Sequence, residues 1–227
     1  IYGNHVGSWN FAATAYLNRW KVKIYYEHYF DDHSQMFFQY GRWKDGHIGL
    51  EITFPKNRFI DTFVYEGLGT KDQTGPMLYD SFWGKFEEQI SAKDNYYNHY
   101  LYQGWQHWGM GIGNPLLPGP IYNKNGQITF ISNRVLAHHI GFCGSPCQSL
   151  SYRMLLSYSR HWGTYDNPLN EIKKQFNSLF EVTYAPQQLK GWSFTVSGAM
   201  DRGSLLGNNY GGMLVIRKQG IIKSGNK

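Results

Sequence analysis

The chain has 227 residues, 18% of them aromatic, with 26 Gly and only 8 Pro, a formal net charge of +6 and a sequence pI near 9.1. No run approaches the ~18 apolar residues of a transmembrane helix, so any passage through a membrane must be made by strands. No basic n-region followed by an apolar h-region opens the sequence at Ile1, and the Lys and Arg residues are scattered singly, which speaks against a nucleic-acid tail and leaves anionic lipid or an acidic polymer as partners for the excess charge.

Alternation with period two runs through the sequence in chain order. After a first strand at 9–18 and a tight Asn18-Arg19 link, residues 20–30 set Trp20, Val22, Ile24, Tyr26 and Phe30 against Lys21, Lys23, Tyr25, Glu27 and Tyr29. A strand at 34–42 follows, then the Asp45-Gly46 hairpin signal and a strand at 47–54, with Ile48, Leu50, Ile52 and Phe54 opposite His47, Gly49, Glu51 and Thr53. Pro55-Lys56-Asn57-Arg58 leads into 59–68. Two long connections, 69–97 and 109–133, flank a strand at 98–108, and the second contains an Asn125-Gly126 hairpin signal. Consecutive long connections would fall on opposite ends of an up-and-down barrel. A strand at 134–142 leads to Cys143 and Cys147 around Gly-Ser-Pro, which fit either a disulfide across the turn or two unpaired thiols, and no zinc site by themselves. Strands at 150–159, 178–184, 192–197 and 210–218 complete the set, with a connection at 163–176 and a loop near Asp201-Arg202.

This is about eleven strands in an all-β antiparallel meander, many of nine residues or more, against a usual ~5–6 in globular sheets and ~9–11 in transmembrane strands. Aromatics crowd the ends of the apolar faces, as at Trp20 and Phe30, Tyr152 and Trp162, and Tyr184 and Trp192, in the manner of the two girdles of a membrane barrel. A mean hydropathy of −0.51 fits strands whose every second residue faces water.

Few residues point to chemistry. His138 and His139 are adjacent on a strand and face opposite ways, so they cannot share a metal. His99 and His107 lie too far apart on one strand face to do so, and Trp105 and His107 share that face with Trp108 on the other. There is no Gly-x-Ser-x-Gly elbow, and Ser159 and His161 share a strand face without an acid partner. Asp31-Asp32-His33 and Glu87-Glu88 read as solvated loop residues. Gly109-Met110-Gly111-Ile112-Gly113 has no following helix to make a phosphate site. Lys21, Lys23, Glu27, Glu51, Arg153 and Glu181 carry both signs on the polar faces, as cross-strand pairs do.

Several stretches resemble the capsule-assembly Wzi family: Tyr2-Gly3-Asn4-His5 with Gly7-Ser8-Trp9-Asn10-Phe11, NYYNHYLYQGWQHWGMGIGNPLL at 95–117, NRVLAHHIGF at 133–142, and GWSFTVSGAMDRG with GNNYGGMLVIRK near the end. The resemblance implies a bacterial outer-membrane β-barrel that attaches or organises capsular polysaccharide at the cell surface, with no catalysis, cofactor or metal. Family members are longer, so residues 1–227 are expected to form a single barrel domain that is the C-terminal part of a larger barrel, working as a monomer. The sequence-level candidates for polysaccharide contact are Trp105, His107, Arg134, His138, Trp162, Asp201 and Arg202, with the connections 109–133 and 163–176. An outer-membrane porin, an outer-membrane glycan- or lipid-modifying enzyme and a soluble carbohydrate-binding β-sandwich are the competing expectations.

Overall fold

The computed structural model describes residues 7–30, 36, 45–57, 59–72, 97–98 and 105–220. Nine strands form one antiparallel sheet: β1 (Gly7–Leu17), β2 (Trp20–Phe30), β3 (Gly46–Thr53), β4 (Thr62–Gly69), β7 (Val135–Cys147), β8 (Leu150–Gly163), β9 (Pro168–Tyr184), β10 (Trp192–Gly203) and β11 (Asn209–Lys218), in that spatial order. The two-residue strands β5 (Gln106–His107) and β6 (Met110–Gly111) make a separate hairpin, and a single 3-10 turn covers Pro120–Tyr122. The all-β meander expected from alternation is present. The sheet is open, with β1 and β11 as its edges.

Every neighbouring pair in the sheet is consecutive in the chain except β4 and β7, which pair directly from Thr62↔Cys143 to Gly69↔Leu136. The paradox of two consecutive long connections therefore disappears. Of the strand expected at 98–108 only 98 and 105–108 are described, and of these Gln106 and His107 are extended, in the small hairpin. Residues 70–134 form one connection, on the end of the sheet shared by the 31–45, 164–167 and 204–208 connections. The other end carries links of two to eight residues, at 18–19, 54–61, 148–149 and 185–191, so the 31–45 and 70–134 connections alone distinguish the two ends. Of the strand expected at 34–42 only Met36 is described, in a turn; His99, Asp31-Asp32-His33 and Glu87-Glu88 lie outside the described residues.

Two connections are corrected. Pro168–Gln175 are not loop but the first half of β9, a strand of 17 residues, and Asp201 and Arg202 lie within β10. Cys143 and Cys147 are free thiols on β7, where a bulge between Gly144 and Cys147 shifts the register.

Directly opposed residues of an antiparallel pair share a face, so the registers sort the sheet into two surfaces. One carries Lys23, Glu27, His47, Glu66, His139, Ser157, Asn177 and Glu181; the other carries Phe11, Ile24, Ile48, Ile140, Phe180, Val196 and Leu214. Burial is inverted with respect to a water-soluble domain. Phe11, Ile24, Ile48, Phe180, Val196 and Leu214 are each more than half exposed, whereas Ser159, His161, Gln175 and Ser197 on the polar face are buried. The buried hydrophobic cluster is small: Leu68, Val135 and Ala137 from the polar face at the long-connection end, and Tyr97, Leu117 and Phe130 from the connection that folds over it.

Aromatics ring the apolar face at two heights. At the short-link end Trp20 meets Phe54 with ring centroids 5.0 Å apart, Phe142 meets Tyr152 at 6.3 Å, and Trp192 stacks on Phe194 at 6.3 Å. At the other end Trp9 meets Phe30 at 6.4 Å, and between the two levels Tyr65 stacks on His138 at 6.1 Å. Tyr152 and Trp162 lie on one strand, ten residue steps or ~33 Å apart.

Candidate functional site

The segment Trp105–Asn133 forms a lobe over the polar face. Its hairpin turns at Trp108 and Gly109, both with positive φ (54° and 79°), as a two-residue turn that follows the strand twist requires. The Gly109/Gly111/Gly113 spacing thus serves tight packing: a Cβ on Gly111 would approach the Phe130 ring to 3.1 Å, and Gly113 has φ 96° with the Tyr97 hydroxyl 2.6 Å from where its Cβ would be. Asn98 clamps the lobe's main chain, donating from Nδ2 to the Phe130 carbonyl at 3.0 Å and accepting the Phe130 N–H at 2.9 Å.

Beneath Asn114–Leu116 of the lobe lies the densest polar network. His47 on β3 stands between two carboxylates, with Nδ1 3.3 Å from Glu27 Oε2 and Nε2 3.5 Å from Glu66 Oε1. The Tyr29 hydroxyl donates to Glu27 at 2.9 Å, and the Tyr25 hydroxyl donates to Glu66. Tyr25 reaches Glu66 by crossing Gly49, the residue between them in register on β3. A Cβ on Gly49 would lie 2.0 Å from the Tyr25 ring. A cavity of about 330 Å³ opens between this network and the lobe, lined among others by His47, Glu66, His139, Ser157 and Asn114, and a second of about 450 Å³ lies on the Glu27 and Tyr29 side of His47.

His139 Nδ1 is 2.6 Å from Ser157 Oγ in the first cavity. Among the described residues the pair has no further part of a hydrolase site beside it. Glu66 is the register partner of His139 but gives its carboxylate to Tyr25 and His47. Ser157 sits mid-strand between β7 and β9, where the ladders engage the backbone N–H groups that an oxyanion hole would need. The fully buried His161 lies 2.9 Å from Ser159 and 3.4 Å from Ser132, again without an acid. No group of three or more His, Cys, Asp or Glu among the described residues is arranged to hold a metal ion.

The seven residues singled out from sequence do not converge. Trp105 packs against the lobe's core. His107 borders a separate, open cavity with Trp108, Ile121 and Ile128. Asp201 is on the polar face and accepts a hydrogen bond from Asn177 at 2.7 Å. His138 is on the apolar face, 2.8 Å from the Tyr65 hydroxyl. Arg134 and Trp162 adjoin at the long-connection end, where the Trp162 N–H donates to the Arg134 carbonyl at 3.0 Å. Arg202 is on the apolar face of β10. Of the network residues, Glu27 was legible only as a wall charge, His139 only as one of an adjacent pair facing opposite ways, and Glu66 and Ser157 had no distinguishing motif. They come from four different strands, and only the register reveals that they meet.

No protein-family model, no curated protein and no solved structure matches the chain.

Proposed function

We propose that the chain is a section of the wall of a bacterial outer-membrane β-barrel that holds capsular or other acidic polysaccharide at the cell surface without catalysing a reaction. The observation that carries the membrane part is the inverted sheet: nine strands with a continuous exposed apolar face, a paired polar face, and all long connections on one end. An apolar surface of that extent is unstable in water and calls for a cover, and lipid supplies it for every strand at once. Short turns at one end and long loops at the other are the usual asymmetry of such barrels, with the long ones outside. The polysaccharide part rests on the resemblance to the Wzi family. It is supported by the lobe's exposed Trp108, Ile121 and Tyr122, since aromatic rings stack on the C–H faces of sugars.

The test takes the intact protein in cells. Migration on a gel that changes on boiling, in the outer-membrane fraction, is the expected result. A soluble protein without a heat shift would sink the barrel and favour a carbohydrate-binding sandwich. Removal of Asn123–Gln127 from the lobe's tip is then expected to lower polysaccharide retention in cells that still assemble the barrel. The porin alternative predicts open-channel currents in planar bilayers, whereas a lobe seated on the polar face predicts little conductance. The His139–Ser157 pair gives the enzyme alternative its one specific observation. Retained capsule attachment in Ser157→Ala would remove it from consideration.

A further inference from the structure

Five cations gather on the apolar face at the long-connection end. Arg160 on β8 stands directly opposite Lys174 on β9, and Arg202 on β10 is opposite Phe176, diagonal to Lys174. Arg134 stands across from Trp162 at the start of β7. Lys71, just after β4, reaches over the same ring, with Nζ 4.8 Å from its centroid, while the Arg160 guanidinium lies 5.4 Å from it. None of the five forms an ion pair among the described residues. The carboxylates nearby in the strands serve the other face: Glu171 pairs with Lys173, and Asp201 with Asn177.

Such an arrangement is costly when empty. Like charges directly opposite on a sheet repel, and cation–π contacts with Trp162 do not neutralise them. Arg134 adds a separate sign of a missing partner, because its Nε is buried without a hydrogen bond. The patch continues the apolar face, beside Ile172 and Tyr158, and it lies at the level of the Trp162 aromatic belt. In a barrel this is where lipid headgroups sit, and the patch looks sideways into the leaflet. An acidic polymer in water would have to enter lipid to reach it.

From this we infer that Lys71, Arg134, Arg160, Lys174 and Arg202, with Trp162, form a binding site on the outside of the wall for the phosphate groups of a phosphorylated glycolipid in the outer leaflet. The inference rests on the barrel reading of the apolar face. Guanidinium groups suit it, since their forked donors match phosphate oxygens two at a time. It also reassigns Arg134, Trp162 and Arg202, three of the seven sequence-level polysaccharide candidates, to lipid.

The test uses the intact protein, purified in detergent and first checked for heat-modifiable migration. Binding of bis-phosphorylated lipid A is compared with that of dephosphorylated lipid A by native mass spectrometry. The variants are the Arg160→Gln/Lys174→Gln double, Arg134→Gln, and Lys23→Gln as a control that removes one charge from the polar face. Phosphorylated lipid A is expected to bind about tenfold more weakly to the double variant, and less so to Arg134→Gln, while Lys23→Gln binds as wild type. Dephosphorylated lipid A is expected to bind weakly to all, and inorganic phosphate at equal concentration is expected not to compete. Heat-shifting variants that bind phosphorylated lipid A as wild type does would overturn the lipid site and leave the barrel standing. Competition by inorganic phosphate alone would reduce it to a simple anion site. Loss of acidic polysaccharide binding with lipid binding intact would return the patch to the polymer. A wild-type protein with no heat shift would remove the barrel reading and this inference together.

Discussion

Gly49 shows how much one missing side chain can organise. The Tyr25 ring crosses it to reach Glu66, joining β2 to β4 over the strand between them. Gly49→Ala is expected to push the ring aside and leave a part-buried carboxylate with one partner fewer, at a cost of ~1–3 kcal/mol. The temperature at which the folded gel band converts to the unfolded one should fall by several degrees. If the effect acts through the Tyr25 hydroxyl, Gly49→Ala combined with Tyr25→Phe costs little more than the larger single change. Full additivity would mean that Gly49 matters for another reason. This network was only partly legible beforehand. Glu27 and Glu51 were expected to pair across strands, and Lys21 does approach Glu51 at 3.6 Å. The reach from Tyr25 to Glu66 was hidden because it depends on register two strands away, which local alternation does not contain.

At the scale of the element, the two faces of a strand make opposite demands, and adjacent positions can test them. Ile24 is on the apolar face, mid-strand on β2, and 55% exposed. In water, an exposed Ile→Arg change is close to neutral. In lipid, an arginine near the middle of the wall costs ~2–4 kcal/mol. Ile24→Arg is therefore expected to lower the amount of assembled barrel in the outer membrane, while Asn10→Arg on the polar face, opposite Glu27, leaves it unchanged. Equal assembly of both would count against a lipid-facing surface. The lobe is a second element with its own stability. Phe130 is 1% exposed at its centre, and Phe130→Ala is expected to cost ~3–5 kcal/mol locally. Limited proteolysis should then cut within the lobe while the sheet keeps its heat shift; loss of the heat shift as well would show that the sheet depends on the lobe. Strand legibility followed the same physics. β2 and β3 were readable nearly to their ends because apolar and polar residues alternate cleanly, and β11 because Met213–Ile216 is an unbroken apolar run. The first half of β9 and the end of β10 were taken for loops because Lys174 and Arg202 occupy apolar-face positions and erase the period. The cations that spoiled the pattern are those assigned to lipid phosphate. In the 98–108 stretch Trp105 read as a strand aromatic, whereas it packs against the lobe's core.

For the whole molecule the unresolved demand is closure. β1 runs from Gly7 at the long-connection end to Leu17, and β11 runs the same way from Asn209 to Lys218. Nine strands of a meander bring first and last into parallel alignment, so joining β1 directly to β11 would put one parallel seam into an otherwise antiparallel wall. Bacterial single-chain barrels are antiparallel with even strand numbers, and an open edge in lipid leaves unpaired backbone groups that the bilayer cannot satisfy. Antiparallel closure would therefore require an odd number of further strands between β11 and β1. Cysteines introduced at Thr14 on β1 and Met213 on β11, in a protein with Cys143 and Cys147 changed to serine, probe this directly. Paired strands bring facing Cα atoms to ~5 Å, within reach of a disulfide, whereas one intervening strand separates them by ~10 Å. Oxidation of the intact protein in its membrane is expected to give no bond between the two. A bond within one chain would show that the nine strands close on themselves through a parallel seam, and a bond between chains would make the wall a shared structure of several copies.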